Sequence, residues 1–422
     1  MMRELMLAMA VLLMPAVGWA AGSQGDSLKR WGSSLRIGPG RVLVVDKYQK
    51  KWQKGKDNFS IDLSLSNTKL PSDSDDYASQ YGFPSISGGV KVSFNHKVTM
   101  HRSKDPDWGL AEEVDYDSSM GNTVVGYASF ERPFFRNKTW GAGYAMAVGL
   151  GYSRRKYNPD YAVDNELIGS RWLVYFGAGL YLTYRVAEDW GLRTGLEYWH
   201  LSNGALNRPN KGANFLGPTL GVSYFPYYKH AERQKQKRLL RHFDKYFYAN
   251  LAVGLGAKTL NEEWLRTQFN TPKGDKDYRT DQFRLYWACS VQADLMYRYH
   301  LKWASGVGLD IFYGSYASRV RQIDEQQHVD VMHSPWSVGL AVKHKAFYHR
   351  MALTLAVGYY LYREMGHNAA LIEKPYYEKI GLQYTLPIGC PLTVGMSVKA
   401  HLTKADLVEL VLSMPLVLAK KD

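Results

Sequence analysis

Between Trp140 and Ser153 the chain alternates large and tiny residues without a break. Trp140, Ala142, Tyr144, Met146, Val148, Leu150 and Tyr152 share one parity, and Gly141, Gly143, Ala145, Ala147, Gly149 and Gly151 the other. Successive side chains of a strand point to opposite faces, so this stretch is a strand with one apolar face and one nearly bare face. Leu301–Gly314 repeats it, with Trp303, Val307, Leu309, Ile311 and Tyr313 set against Lys302, Ala304, Gly306, Gly308 and Asp310. Met351–Tyr362 turns Met351, Leu353, Leu355, Val357 and Tyr359 to one side. In Phe283–Arg298, Arg284, Gln292, Asp294 and Arg298 oppose Phe283, Leu285, Trp287 and Leu295. A soluble sandwich would bury its large face against a second sheet. These stretches are long for a sandwich, and their second face is Gly, Ala or charge. The pattern predicts an all-β fold, a transmembrane antiparallel up-and-down β-barrel with its large face to lipid and its small or charged face to a hydrated lumen.

Strand-like stretches begin near Asp57, Ser85, Gly121, Lys138, Arg171, Gly191, Phe215, Tyr246, Gln282, Leu301, Pro335, Met351, Tyr377, Leu392 and Leu407, with a weaker one near Arg41. Bacterial barrels have even strand numbers, and the spacing predicts one barrel of about 14 strands, within a range of about 12 to 16. Short links such as Glu188-Asp189 and Gly389 to Pro391 are expected as periplasmic turns. The polar runs Arg154–Gly169, Leu260–Thr280 and Arg319–His333 are expected as extracellular loops.

The export address agrees. Arg3, the apolar run Leu5–Val17 and the small residues of Gly18-Trp19-Ala20 read as a signal peptide over residues 1–20, with the mature barrel from Ala21 to Asp422. The apolar run is too short for a membrane-spanning helix. Mean hydropathy is only −0.34, yet 14% of residues are aromatic, including 31 Tyr. A barrel reconciles the two, because only alternate residues meet lipid while Tyr and Trp collect at the interfaces.

The net charge of +14 suits a polyanion. For an exported chain the expected partner is the phosphate-bearing lipid of the outer leaflet, not nucleic acid. The basic run between Lys229 and Lys245 is expected as a solvated connection, and the acidic run Ser72–Asp76 as a solvated loop. Cys289 and Cys390 are expected to stay unbridged. His367 and His401 have no second ligand at metal spacing, so no metal and no cofactor is expected.

One segment carries the residue types of ester chemistry: Tyr198-Trp199-His200-Leu201-Ser202-Asn203-Gly204, running into a loop rich in Asn, Gly and Pro that ends at Asn214. His200 and Ser202 are two apart on a strand and share a face. A Ser hydroxyl becomes a competent nucleophile when an imidazole takes its proton. Leu192, Thr194, Leu196, Tyr198, His200 and Ser202 share one parity, while Arg193, Gly195, Glu197 and Trp199 share the other. The charged parity suits the lumen, so His200 and Ser202 are expected to look outward. Asn214 has the parity of Leu216 and is expected on the same outer wall, across the hairpin from Ser202. Glu197 has the wrong parity to join them.

His200-Leu201-Ser202-Asn203-Gly204 and Pro209-Asn210-Lys211-Gly212-Ala213-Asn214 resemble the signature of the lipid A 3-O-deacylase (PagL) family, in its longer acyloxyacyl hydrolase form. Asn158-Pro159 through Ile168-Gly169-Ser170, and Lys399-Ala400-His401 with Lys404-Ala405-Asp406, resemble it too. The resemblance implies an outer-membrane serine esterase that removes the ester-linked acyl chain at position 3 of lipid A in lipopolysaccharide. It makes Ser202 the nucleophile and His200 its general base. It places the oxyanion at backbone N–H groups near Asn203 and Ala205. Shorter members carry Glu where this chain has Asn214. An amide oxygen can still accept the imidazole N–H but stabilises imidazolium less than a carboxylate, which implies a slower enzyme. A barrel without catalysis, such as a small porin or structural protein, and an acyl hydrolase of another lipid are the alternatives.

Overall fold

The computed structural model describes residues 30–44, 47–104, 116–226, 243–402 and 404–420. The expected signal peptide and nearly all of the basic run lie outside them. Two antiparallel barrels close separately, each from eight strands. The first is built from β1 (Trp31–Val42), β2 (Asp57–Thr68), β3 (Ser85–Phe94), β4 (Thr123–Arg136), β5 (Trp140–Ser153), β6 (Trp172–Arg185), β7 (Trp190–Ser202) and β8 (Ala213–Tyr224). The second is built from β9 (Tyr246–Lys258), β10 (Tyr286–His300), β11 (Trp303–Gly314), β12 (His333–Tyr348), β13 (Met351–Met365), β14 (Tyr376–Thr385), β15 (Thr393–His401) and β16 (Lys404–Lys420). The expectation of one barrel of about 14 strands is therefore corrected. The first sheet closes by pairing β1 with β8, as in Leu35↔Val222, and the second by pairing β9 with β16, as in Leu251↔Met414.

Side-chain volume explains two small barrels. Eight strands enclose a lumen just wide enough for side chains to fill. In barrel 1, Arg36 binds Glu197 at 2.8 Å and Asp62 at 2.7 Å, and Lys91 binds Glu197 at 2.6 Å. Tyr127 and Tyr181 donate to Asp62 and Glu197, each at 2.8 Å. Toward the short-turn rim this leaves a cavity of about 70 Å³, lined by residues such as Ser66, Ser87 and Arg193. In barrel 2, Lys343 bridges Asp294 and Asp310 at 2.5 Å each, and Lys379 binds Glu409 at 2.6 Å. Asp294, expected to face a hydrated lumen, instead lies in this packed network. Arg298 donates to Tyr77 of barrel 1 at 2.9 Å.

The outer walls are aliphatic and bare, with Leu150 at 66%, Leu220 at 59%, Val342 at 66% and Leu410 at 64% exposure. Aromatic pairs flank this band on both barrels. Trp140–Tyr184, Trp190–Tyr224 and Phe247–Tyr297 ring the short-turn rim, and Tyr152–Trp172 and Trp287–Tyr313 the long-loop rim.

Like rims of the two barrels meet. At the short-turn rim Tyr81 donates to the Phe347 carbonyl at 2.9 Å. At the long-loop rim Tyr157 packs edge-on against Trp264, with centroids 5.0 Å apart, and Lys156 binds Asp281 at 2.7 Å. The expected extracellular loops are thus ordered. Residues 261–265 and Ala317–Gln326 form helices within them. The acidic run is a helix start and not only a solvated loop: Asp75 caps the helix Asp76–Tyr81 through the Ala78 N–H, and His349 of barrel 2 lies 2.9 Å from its carboxylate. Both cysteines are free.

Candidate active site

Strand β7 sets the site. Its inward residues Arg193, Glu197 and Trp199 are buried, while Leu192 and Leu196 are exposed on the outer wall. By the same alternation Tyr198, His200 and Ser202 point to the outer side at the long-loop end of the strand, where Tyr198 and His200 are half-buried and Ser202 is buried, 7% exposed. Beneath them Trp199 stacks on its cross-strand neighbour Phe215, with centroids 5.2 Å apart, in a core with Leu201, Leu167 and Ile168. Burying each such side chain contributes about 1.5–3 kcal/mol, so the end of β7 is anchored from within.

Asn214 pairs with His200 and not with Ser202, two positions from the expected register and so on the same face. The consequence is direct contact: His200 Nδ1 lies 2.7 Å from Asn214 Oδ1. The Tyr198 hydroxyl donates to the same oxygen at 2.7 Å. An oxygen that accepts from Nδ1–H selects the tautomer with an open Nε2 lone pair. Tyr198 shares the parity of His200 and Ser202 in the sequence, but nothing in the sequence points to its bond with Asn214. No hydrogen bond joins His200 to the Ser202 hydroxyl. Such bonds are often long in free enzymes and tighten with substrate.

The loop after Ser202 is tied by its own amides. The Asn203 N–H donates to Asn210 Oδ1 at 3.0 Å, and the Ala205 N–H to Asn203 Oδ1 at 3.1 Å. The two N–H groups expected to be free for an oxyanion are therefore both engaged. The reason is the turn: Gly204 and Ala205 both have positive φ, 63° and 74°, which brings the Asn203 side chain back over its own backbone. The left-handed conformation costs Ala205 about 1–2 kcal/mol, so the surroundings must hold it. The N–H of Gly204, between them, has no partner among the described residues. Gly212 has φ 75° and lies against the imidazole, where a Cβ would come within 2.6 Å of His200 Cε1. Only glycine satisfies both demands.

A second loop, residues 154–171, braces the first. Gly169 accepts from Asn207 Nδ2 at 2.8 Å, and the Gly212 N–H donates to the Leu167 carbonyl at 3.0 Å. Glu166 is held by Arg102 at 2.5 Å and by the Tyr48 hydroxyl at 2.8 Å. Burial pushes the Asp164 carboxyl nearby up to about 6, against the pull of Arg102. Sequence reasoning did not find Arg102 or Glu166, because their partners lie far along the chain. His401 and His367 are not part of this site. His401 accepts from Tyr360 and Arg363 in barrel 2, and the His367 N–H donates to Asp324. Among the described residues no cluster of His, Cys, Asp or Glu could hold a metal ion.

The description "Lipid A 3-O-deacylase (PagL)" matches residues 88–223, from β3 to β8, and "Acyloxyacyl hydrolase, C-terminal domain" matches residues 242–414, across barrel 2. No curated protein matches the chain. Among solved structures, the outer-membrane enzyme PagL overlays with a TM-score of 0.27 at 13% identity, over 46% of this chain and 98% of its own. A porin of Rh. blastica gives 0.16 at 9% identity, over 91% and 99%, and Pseudomonas aeruginosa OccK1 (OpdK) gives 0.21 at 13%, over 92% and 99%. The family matches, and not these overlays, carry the assignment. They fall one on each barrel and the first spans the strand and loop just described, so the chain belongs to the lipid A 3-O-deacylase (PagL) family of outer-membrane ester hydrolases.

Proposed function

We propose that both barrels span the outer membrane side by side and that Ser202, His200 and Asn214 carry out the lipid A 3-O-deacylation on the lipid-facing wall of barrel 1. The exposed aliphatic band between aromatic rings supports the insertion. The His200–Asn214 contact on the outer wall is the observation that carries the catalytic assignment.

Ser202 Oγ attacks the carbonyl carbon of the 3-linked ester as His200 Nε2 takes the hydroxyl proton. Asn214 Oδ1 accepts the Nδ1–H and holds the ring, with Tyr198 fixing the amide from its other side. The developing oxyanion takes the Gly204 N–H, and the Ala205 N–H can exchange its Asn203 acceptor for it. The carbon–oxygen bond to the sugar breaks, and the leaving oxygen takes the proton from His200. Water, deprotonated by His200, then attacks the acyl-Ser202 carbonyl; the bond from the acyl carbon to Oγ breaks, His200 returns the proton to Oγ, and the fatty acid leaves. With an amide, Asn214, as the partner of Nδ1, the imidazolium is less stabilised than in an Asp- or Glu-assisted triad.

The test is product analysis. Wild-type protein incubated with lipid A in detergent is expected to yield lipid A lighter by one acyl chain, together with the free fatty acid, by mass spectrometry. Ser202→Ala is expected to yield neither. Identical products from the two proteins contradict the assignment. Loss of a chain from phospholipid but not from lipid A would move the activity to a different lipid.

A further inference from the structure

The turn that follows Ser202 is gripped by the other barrel. Thr259, the residue after β9, is fully buried, and both its N–H and its hydroxyl donate to the Ala205 carbonyl, at 2.8 Å and 2.9 Å. The grip is reciprocal: Arg208 of the same turn reaches back to donate to the Thr259 carbonyl at 3.0 Å. Val408, on the outer wall of β16, lies so close to Gly204 that a Cβ there would sit 2.3 Å from the valine methyl. Ala205 holds a left-handed conformation that a non-glycine residue rarely adopts, and its carbonyl, with no partner in its own turn, finds two in barrel 2.

We infer that Thr259 of barrel 2 is a positioning residue for the esterase reaction of barrel 1, holding the Gly204–Ala205 turn in the conformation that leaves the Gly204 N–H open to the oxyanion. This rests on the assignment of Ser202 as nucleophile. Fixing the Ala205 carbonyl fixes the Ala205–Leu206 peptide plane, and with it the ψ of Ala205. Together with the contact on Gly204, this leaves the turn little freedom to relax toward positive-φ-free geometries that would swing the N–H away. Hydrogen-bond donors help most when they are already in place as charge develops. Barrel 2 therefore completes the active site and is more than a second membrane anchor.

The experiment measures fatty acid release from lipid A by purified full-length protein, with kcat and KM determined separately. Thr259→Val removes the hydroxyl while keeping the volume and the backbone N–H, and Thr259→Ser keeps the hydroxyl. Thr259→Val is expected to lower kcat about tenfold, which corresponds to about 1.4 kcal/mol of transition-state stabilisation, with KM within about twofold. Thr259→Ser is expected to stay within about threefold of wild type. Thr259→Ala, without added bulk, serves if the valine variant does not fold, which heat-modifiable migration on gels reports. Wild-type kcat in the Val and Ala variants, a change confined to KM, a failure of Ser to rescue, or misfolding of both the Val and Ala variants would each overturn the positioning role. Full activity of Ser202→Ala would overturn the catalytic assignment itself, and this inference with it.

Discussion

Replacing His200 with alanine is expected to lower kcat/KM for lipid A ester hydrolysis by about 10²–10⁴-fold, the range that a positioned general base supplies. The imidazole lies two residues from Ser202 on the same face of β7 and, held through Nδ1, leaves Nε2 to take the hydroxyl proton and return it. Asn214 cannot titrate, and the Tyr198 hydroxyl is committed to the Asn214 oxygen. Glu197, the nearest carboxylate along the strand, points into the lumen and is held by Arg36 and Lys91. The loss should appear in the rate of fatty acid release with the barrels intact, because His200 lies on the outer wall and carries no strand pairing through its side chain. A rate within about threefold of wild type would remove the general base from the account.

Replacing Glu197 with alanine is expected to destabilise barrel 1 by about 3–5 kcal/mol, the cost of leaving a buried charge without its partner. Glu197 is the centre of the lumen network. One of its oxygens takes Arg36 and Tyr181, at 2.8 Å each, and the other takes Lys91 at 2.6 Å. Arg36 keeps Asp62, but Lys91 loses its only ion-pair partner among the described residues and is left beneath the Trp199 ring, 4.0 Å from the ring centroid. Trp199 separates His200 from Tyr198 along β7, so the disturbance should also reach the site. Urea unfolding of the refolded protein in detergent measures the change. A stability shift below about 0.5 kcal/mol, the usual scatter of neutral substitutions, would show that the lumen charges are solvated and not held as a packed core.

Much of the strand architecture is legible in the sequence, because alternation between a bare face and a bulky face depends only on neighbours along the chain. Trp140–Ser153 and Met351–Met365 are strands with the expected faces. The strand Trp31–Val42 is less legible: Gly38-Pro39-Gly40 reads as a turn, yet it lies within β1, where the pairing to β8 skips these three residues. The division into two barrels is not legible from period at all. Period counts strands, but which strands close on each other is set by contacts between positions such as 35 and 222. The better signal was the content of the inward face. Arg36, Lys91, Tyr127, Tyr181 and Glu197 are bulky side chains of the kind that fill an eight-stranded lumen.

The site divides in the same way. The outward parity of His200, Ser202 and Asn214 follows from alternation along β7 and β8, and the structure brings His200 and Asn214 into contact. The cross-strand register, Asn214 opposite His200, depends on how the loop 203–212 closes. The hydrogen bonds that occupy the Asn203 and Ala205 N–H groups depend on two consecutive positive φ angles that the pair Gly-Ala does not announce. Thr259 belongs to the other barrel, and nothing in the local sequence around either residue links it to Ala205.

We propose Ser202, on the outer side of barrel 1, as the nucleophile. A long-chain alkyl fluorophosphonate, which forms a stable tetrahedral adduct with an activated serine, tests it directly when the labelled protein is digested and mapped by peptide mass spectrometry. A single adduct is expected on the peptide carrying Ser202, formed at a rate that collapses in His200→Ala. No adduct, or an adduct on a different serine at an unchanged rate in that variant, would contradict it.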